Sequence, residues 1–418
     1  MTEQRADARL KMSQNEFVGF LATVSATTAL GIDMVLPAFG QVRQAFGLAE
    51  DSTQVALTVT VYFLGLSLAQ LIYGPLTDRF GRKPILLTGL ALYATAAVLA
   101  GLAPNLPLLL AARLLWGIGA AGPRVLTMAI ARDVYSGDRL GRVLSLAQAL
   151  FMIAPAVTPL LGQAVLSSGN WRLVFIVPAL PAVALMVWSA RLTETLKPED
   201  RRPLTFDQTA AAFKAVVGNR IALGFSLAVM FDFAAFSSFL SSSELLFDRV
   251  YDRSSQFPLA FGLMSLVMGL TAFSGSRLVS RLGAQPIIMT AIKFQLALTL
   301  ALLVVSVAGG GSPPFFVWFA LVALSNAIRT VVNPLSVSEA MQPMGELAGT
   351  AASVMGAISM GGGALLSIVT DRLLGDSVTP LSSAYLFYGV LQFVALLWAT
   401  GRIGPSRLAT TRSLPGQA

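Results

Sequence analysis

Long apolar stretches separated by short polar ones run along the whole chain. A helix that crosses a membrane needs about 20 mostly apolar residues, and twelve stretches of this kind, bounded by charges, Pro or Gly, can be drawn. We call them spans 1 to 12: residues 17–39, 53–76, 85–103, 107–131, 143–166, 171–190, 219–246, 257–279, 286–308, 314–338, 347–370 and 381–401. The pattern predicts an all-helical membrane protein, and it is least regular in spans 5, 7 and 11.

The composition supports a membrane protein and excludes several kinds of chemistry. Hydrophobic residues make up 55% and charged residues 12% of the 418 residues, whereas an average globular chain carries about 25% charged residues. The chain has no His and no Cys, which excludes His-based triads, thiol catalysis, disulfides and metal sites made of imidazole or thiolate. We therefore expect neither an enzyme nor a bound cofactor.

The positions of Lys and Arg predict the orientation. Of the 29 basic residues, 20 fall on one side of the predicted spans, 5 on the other side and 4 inside spans. Because cytoplasmic loops retain the positive excess, we expect both termini in the cytoplasm and the spans in the cell inner membrane, with no removable signal peptide in residues 1–16. This topology, with contact to anionic lipids, explains the net charge of +8 without a nucleic-acid partner.

A polar segment divides the spans six and six. The stretch from Arg191 to Lys214 is the longest charged segment, and it predicts an N-terminal half (1–192), a cytoplasmic linker (193–218) and a C-terminal half with a short tail (219–418). Within the linker, Phe206 to Val217 has the pattern of an amphipathic surface helix.

A weak internal repeat indicates that the halves are related. Asp78-Arg-Phe-Gly-Arg-Lys-Pro84 follows span 2, and Ser280-Arg-Leu-Gly-Ala-Gln-Pro286 follows span 8. Asp33 in span 1 and Asp232 in span 7 are separated by nearly the same number of residues as these two motifs. Two pseudo-symmetric six-helix halves around a central cavity are typical of a transporter.

The loop between spans 2 and 3 carries the first family signature. Gly74-Pro-Leu-Thr-Asp78-Arg79-Phe-Gly81-Arg82-Lys83-Pro84 resembles the cytoplasmic loop signature of the major facilitator superfamily. A carboxylate at a helix end with arginines one and four residues later can pair with neighbouring helices and hold one conformation. Asp133, at the end of span 4, is the expected partner of Arg82 or Arg79. The alternative is that these basic residues only anchor the loop.

Three further motifs resemble those of proton-coupled members of the superfamily. The first has Arg113 in span 4 followed by Gly117, Gly119 and Gly122, with Trp116 where the family more often has Gln. The second has Pro155, Pro159 and Gly162 in span 5, as in the antiporter motif. The third, Ile32-Asp33-Met34-Val-Leu-Pro37-Ala38, resembles the acidic motif of twelve-span drug:proton antiporters, particularly the bicyclomycin and chloramphenicol resistance subfamily. The resemblance implies a proton-driven exporter whose conformational gate comprises Gly74, Asp78, Arg79, Gly81, Arg82, Asp133, Pro155, Pro159 and Gly162.

Charges inside spans are the candidate functional groups, because each costs about 2.5–3.5 kcal/mol to insert. Burial favours the neutral acid and a nearby guanidinium favours the carboxylate, so a pair such as Asp33 and Arg113 could handle protons. The alternative is a permanent structural pair. Arg124, Asp232 and Arg329 could attract an anionic or zwitterionic ligand, or simply pair between helices. The candidate substrate cavity comprises Asp33, Met34, Arg113, Trp116, Arg124, Asp232, Phe236 and Arg329.

One motif has a second interpretation. Gly117, Gly119 and Gly122 match the G-x-G-x-x-G fingerprint of dinucleotide-binding folds, but that fingerprint requires a preceding strand in a βαβ unit. Inside an apolar span, close helix packing through small residues is the better explanation.

The sequence thus favours a monomeric transporter that exports small amphiphilic compounds in exchange for protons, surrounded by membrane lipids. The alternative transport function is proton-coupled uptake of an anionic or zwitterionic metabolite. A membrane enzyme or a sensor is a further alternative, but the sequence offers neither a cluster of catalytic side chains nor a large signalling domain.

Overall fold

The structure is helical and follows the predicted spans. This computed structural model describes residues 12–201 and 207–401, except the side chains of residues 138, 148–152, 276–281 and 346. In this part of the chain, 11 helices are long and apolar enough to cross a membrane. The remaining span, Gly137–Leu166, is one helix of 30 residues, of which Ile153–Leu166 is its described apolar part. The predicted all-helical fold is confirmed.

The observed spans differ from the predicted ones mainly at their ends. Spans 1 to 6 are Gln14–Ala45, Thr53–Phe80, Arg82–Leu102, Leu106–Val134, Gly137–Leu166 and Leu173–Arg191. Spans 7 to 12 are Arg220–Val250, Phe257–Leu282, Ala284–Ala308, Phe315–Met341, Ala348–Leu373 and Thr379–Ala399.

Several predicted features lie partly or wholly outside the described residues. The linker helix runs from Asp207 to Gly218, but its predicted first residue, Phe206, is not described. The basic residues that supported the orientation and lie outside the described residues are Arg5, Arg9, Lys11, Arg202, Arg402, Arg407 and Arg412. The side chains of Ser280 and Arg281 in the internal repeat are also not described.

Successive spans run in opposite directions, so their connections lie at two ends of the bundle. We call the end that holds the turn at Gly81, between spans 2 and 3, the motif face. The opposite end, which holds the connection between spans 1 and 2, is the distal face. Met12, the linker helix and Gly401 lie at the motif face.

The irregular spans have local causes. Span 1 begins with the helix Gln14–Asp33, passes through a 3-10 turn at Leu36–Ala38 and resumes as Phe39–Ala45. Pro37 lies in that turn, where it has no N–H to donate. Span 5 stays a single helix through its two prolines. Span 11 contains a π-helical segment, Ala357–Gly361, directly before Gly362 and Gly363.

Glycines bring the helices of the N-terminal half into close contact. A Cβ on Gly117 would overlap the carbonyl of Tyr62 in span 2, and one on Gly119 would overlap the backbone of Tyr93 in span 3. Gly122 lies against Tyr73 and Gly89 of the same two spans. The G-x-G-x-x-G pattern therefore serves helix packing, as in other membrane bundles.

Small residues also line the contact between the two halves. In span 11, a Cβ on Gly356 would lie 3.0 Å from Gln70 Oε1 in span 2, and one on Gly361 would lie 2.8 Å from Ser67 Oγ. In span 8, a Cβ on Gly262 would lie 2.9 Å from the carbonyl oxygen of Ala156 in span 5. Spans 2 and 11, and spans 5 and 8, are thus the seams between the halves.

Candidate functional site

Arg113 caps the point where span 1 breaks. The first helix of span 1 ends at Asp33, so the carbonyl groups of its last turn lack the usual intrahelical partners. Arg113 Nη1 donates to the carbonyl oxygen of Gly31 at 2.7 Å, and its Nε donates to the carbonyl oxygen of Thr58 in span 2 at 3.0 Å. A guanidinium at a helix C-terminus also complements the negative end of the helix dipole.

Aromatic rings surround this arginine. Its guanidinium carbon lies 4.6 Å from the ring centre of Tyr62 and 4.8 Å from that of Trp116. The hydroxyl groups of Tyr62 and Tyr93 donate to the carbonyl oxygens of Thr28 and Thr27 in span 1 at 3.2 Å and 2.7 Å. Arg113 and Trp116 are completely buried, so they belong to the interior of the N-terminal half.

Asp33 lies at the break without a cationic partner. Its exposed fraction is 5%, and it forms no ion pair with any residue that the structure describes. The ion pair suggested between Asp33 and Arg113 is therefore not formed, because the guanidinium is directed at the carbonyl groups. An unpaired ionised carboxylate is costly to bury, so the neutral acid fits this position better.

The break also contacts span 5. A Cβ on Gly162 would overlap the carbonyl oxygen of Met34, so the glycine allows the two backbones to touch. Met34 itself is buried, with 1% exposed. Gly162 belongs to the antiporter-like motif with Pro155 and Pro159, and Met34 belongs to the acidic motif. The two motifs are therefore in direct contact.

Arg124 is placed differently from Arg113 on the same helix. Its side chain is exposed, and no ion pair to it is found among the described residues. It follows Gly117 by two helical turns, and Gly117 packs against Tyr62 of span 2. Of the basic residues predicted inside spans, Arg124 is the one with an open environment in the N-terminal half.

In the C-terminal half, Asp232, Phe236 and Arg329 come together. Arg329 Nε lies 3.3 Å from Asp232 Oδ1, and both side chains are buried. The Arg329 guanidinium carbon lies 5.2 Å from the ring centre of Phe236. Amide side chains from three spans, those of Gln295, Asn333 and Gln392, also face the carboxylate. The charges that span 7 and span 10 bring into the membrane thus neutralise each other.

The motif face holds a network around Arg82. This arginine donates to Asp78 Oδ1 at 2.6 Å, to Asp133 Oδ2 at 3.0 Å and to Thr77 Oγ1 at 2.9 Å. Asp133 is the partner that the sequence suggested for Arg82 or Arg79, and Arg79 is exposed. Gly81 has a φ of +102°, a conformation that side chains disfavour, and Gly74 has open space beside it.

The sequence interpretation missed Glu194 in this network. Its carboxylate accepts the backbone N–H groups of Arg82 and Lys83 at 2.9 Å and 3.2 Å, at the start of span 3. A carboxylate at a helix N-terminus is a common stabilising arrangement. The sequence places Glu194 in the linker, 112 residues from Arg82, and no local pattern connects the two.

At the distal face, a second missed pair connects the halves. Arg43 Nη2 donates to Glu244 Oε1 at 2.9 Å and to Oε2 at 2.8 Å, and both side chains are buried. Around them, Arg249 contacts Glu50 at 2.9 Å and Asp376 at 3.5 Å. The sequence placed Arg43 on the side opposite the excess of basic residues and did not single out Glu244, which lies near the end of span 7. In this structure the halves are therefore closed at the distal face.

The bundle of paired six-helix halves, with charged side chains buried among its spans, is the architecture of a secondary transporter. The family model described as Major Facilitator Superfamily matches residues 21–367. The chain belongs to the Major Facilitator Superfamily, and it is a multi-pass membrane transporter.

Comparisons with individual proteins agree. The chain is 28% identical to "Bicyclomycin resistance protein homolog" of Haemophilus influenzae, covering 94% of this chain and 98% of that protein. It is 27% identical to "Multidrug resistance protein MdtL" of Shewanella oneidensis, covering 93% and 96%. Among solved structures, a D-xylose-proton symporter matches with a TM-score of 0.75 at 15% identity, over 92% of this chain and 97% of that one. At that identity the structural match supports the fold alone.

Proposed function

We propose that the protein exports small amphiphilic compounds in exchange for protons by alternating access. The support is family membership together with full-length relatives whose names describe bicyclomycin and multidrug resistance. One proton moving down about 100 mV supplies roughly 2.3 kcal/mol, enough to drive such exchange. The chemistry needs no cofactor.

We also propose the topology that goes with this function. The motif face lies in the cytoplasm, with both termini, and the spans cross the cell inner membrane as a monomer in contact with lipids. The two moving bodies are residues 1–192 and 219–418, joined by the linker 193–218. The excess of Lys and Arg at the motif face supports this orientation.

Asp33 is the proposed proton site, and the observation that carries it is its burial without a cation at the break in span 1. A change in water access there would change which form of the acid is stable. Arg113 is a positioning residue for this site, since it holds the carbonyl group of Gly31 two residues away. A shift of span 1 would therefore change the environment of Asp33.

The proposed substrate cavity lies between the halves, and the residues predicted to form it have different roles. Arg124 offers an exposed positive charge and Phe236 a partly exposed ring. Asp33 and Met34 lie at the break in span 1, Arg113 and Trp116 support that break, and Asp232 and Arg329 balance each other. Access to the cavity is controlled by Gly74, Asp78, Arg79, Gly81, Arg82 and Asp133 at the motif face, and by Pro155, Pro159 and Gly162 in span 5.

The test is the variant Asp33→Asn in proteoliposomes with an imposed pH gradient. Because Asn cannot take up a proton, we expect gradient-driven drug transport to fall by about tenfold or more, while a fluorescent substrate still binds. Asp51→Asn, which changes an exposed carboxylate at the distal face, is the matched control and should transport normally. Coupled transport by Asp33→Asn near the parent rate would exclude Asp33 as the proton site.

The same vesicles separate export from uptake. Export predicts that the parent protein reduces dye retention and confers drug tolerance on a susceptible host. Uptake of an anionic metabolite, the second candidate, predicts accumulation of that metabolite instead. Only the exposed charge of Arg124 favours this second function.

A further inference from the structure

A buried carboxylate outside the proposed proton site lies close to the distal face. Asp371 is near the end of span 11, with 3% of the residue exposed. Its Oδ1 accepts a hydrogen bond from Ser241 Oγ of span 7 at 2.7 Å. Its Oδ2 is buried and has no hydrogen-bond partner in residues 12–201 and 207–401. Asp371 is therefore held by one hydroxyl group.

The charges near Asp371 are already engaged or directed elsewhere. Other titratable or charged groups at this end include Arg43, Glu244, Arg249, Arg372, Asp376 and Tyr388, together with Glu50, Asp51, Asp248, Tyr251, Asp252 and Arg253. Arg43 is bound by both oxygens of Glu244, and Arg249 contacts Asp376. Arg372, the next residue, is exposed, and the hydroxyl of Tyr388 donates to the carbonyl oxygen of Leu366 at 2.8 Å.

Burial in this setting selects the uncharged form of Asp371. An ionised carboxylate without a cation or several donors is very costly to remove from water, whereas the neutral acid is not. One hydroxyl donor does not replace the water that an ionised group requires. With the halves closed at the distal face, Asp371 therefore fits as the neutral acid.

The closed contact between the halves lies beside it. Ser241, the donor to Asp371, lines a small cavity together with Phe39 and Arg43 of the N-terminal half. One turn further along span 7, Glu244 forms the ion pair with Arg43. Separation of the halves at this face would admit water to Ser241 and Asp371 together.

We propose that Asp371 is a proton-binding site of the distal face, which takes up a proton from the outer solution when the halves close there and releases it when they open. The Arg43–Glu244 pair holds the face closed, and Asp371 makes closure depend on pH. The closed form binds one proton more than the open form, so lower pH favours closure. This site is separate from Asp33 and does not rest on the role proposed for Asp33.

The chain has no native Cys, so a pair of spin labels can report closure directly. Ala49→Cys and Ser255→Cys place labels at exposed positions of the distal face, one in each half. Double electron–electron resonance on the labelled protein in lipid nanodiscs gives the ratio of open to closed molecules. All measurements are made in an Asp33→Asn background, which removes any contribution of Asp33 to the pH response.

We expect the ratio of open to closed molecules to rise with pH between 5 and 8, by up to about tenfold per pH unit. Adding Asp371→Asn should leave a mostly closed protein whose ratio no longer changes with pH. Asp376→Asn, an exposed carboxylate five residues further on, should leave the pH response intact.

Two results would overturn the proposal: a ratio that does not change with pH in the Asp33→Asn background, or a pH response that persists in Asp371→Asn. If Asp371→Asn does not fold, the variant Ser241→Ala tests the proposal instead. Loss of the donating hydroxyl should shift the midpoint pH of opening, and an unchanged midpoint would exclude Asp371 as the group that titrates.

Discussion

At the scale of single residues, the sequence identified which side chains matter better than it identified their partners. Asp33, Arg113, Asp232 and Arg329 were singled out because charge is rare inside spans. The sequence offers the pairing of Asp232 with Arg329 as one possibility, and the structure contains it, whereas Arg113 binds backbone carbonyl groups. Carbonyl groups leave no pattern in a sequence, so that contact could not be predicted.

The buried pair in the C-terminal half permits a prediction about stability. Asp232→Asn or Arg329→Gln alone leaves one buried charge without its partner, which typically costs about 3–5 kcal/mol. The double variant removes both charges and should be more stable than either single variant. Thermal unfolding of the four purified proteins in detergent measures the coupling. If the losses of the single variants simply add in the double variant, the two charges do not stabilise each other.

At the scale of elements, the apolar pattern was sufficient for the spans but not for their internal breaks. Span 1 was predicted as residues 17–39 and continues to Ala45, because the chain re-enters a helix after Pro37. Span 5 contains Pro155 and Pro159, and it continues through both of them as one helix. A proline shows where a hydrogen bond is missing, but neighbouring helices decide whether the helix bends or stops.

The turn between spans 2 and 3 is an element whose contribution can be measured. Asp133 binds Arg82 and also accepts a hydrogen bond from Thr195 Oγ1 at 2.9 Å, so it ties the end of span 4 to both the turn and the linker. Asp133→Asn should lower the initial transport rate several-fold and reduce stability by only about 1 kcal/mol, because the pair is partly exposed.

The matched control for this variant is Glu199→Gln. Glu199 is an exposed carboxylate of the linker that lies 3.7 Å from Lys197, and its loss should change neither quantity. Transport rates in proteoliposomes and thermal unfolding in detergent provide the two readings. A normal transport rate in Asp133→Asn would show that this tie has no part in gating.

At the scale of the whole molecule, the two-half organisation could be inferred, but the state of the transporter could not. The repeat and the charge distribution indicated two bodies. Which end is closed depends on contacts such as that between Arg43 and Glu244, which are 201 residues apart. Such long-range pairs follow from the relative position of the halves, and one sequence contains no direct signal for it.

The ion pair across the distal face gives a prediction at this scale. Arg43→Glu places two carboxylates together and Glu244→Arg places two guanidinium groups together, so each single variant should shift the protein towards the form open at the distal face. The exchanged pair, Arg43→Glu with Glu244→Arg, should restore closure. Spin-label distances between positions 49 and 255 measure the shift. Equal distances in the single variants and the parent would mean that the pair does not hold the halves together.

The small residues of the two seams have a mechanical consequence. Gly356, Gly361 and Gly262 have no side chain of their own to interlock with the other half, although Gln70 and Met360 still meet across the seam of spans 2 and 11. Helix contacts formed by small residues can shift against each other while losing little packing. The free-energy cost of the conformational change is then concentrated at the two ends of the molecule. The rate of each transport cycle would then be set by a few polar contacts at the two faces, and a bulky side chain in a seam would slow the conformational change.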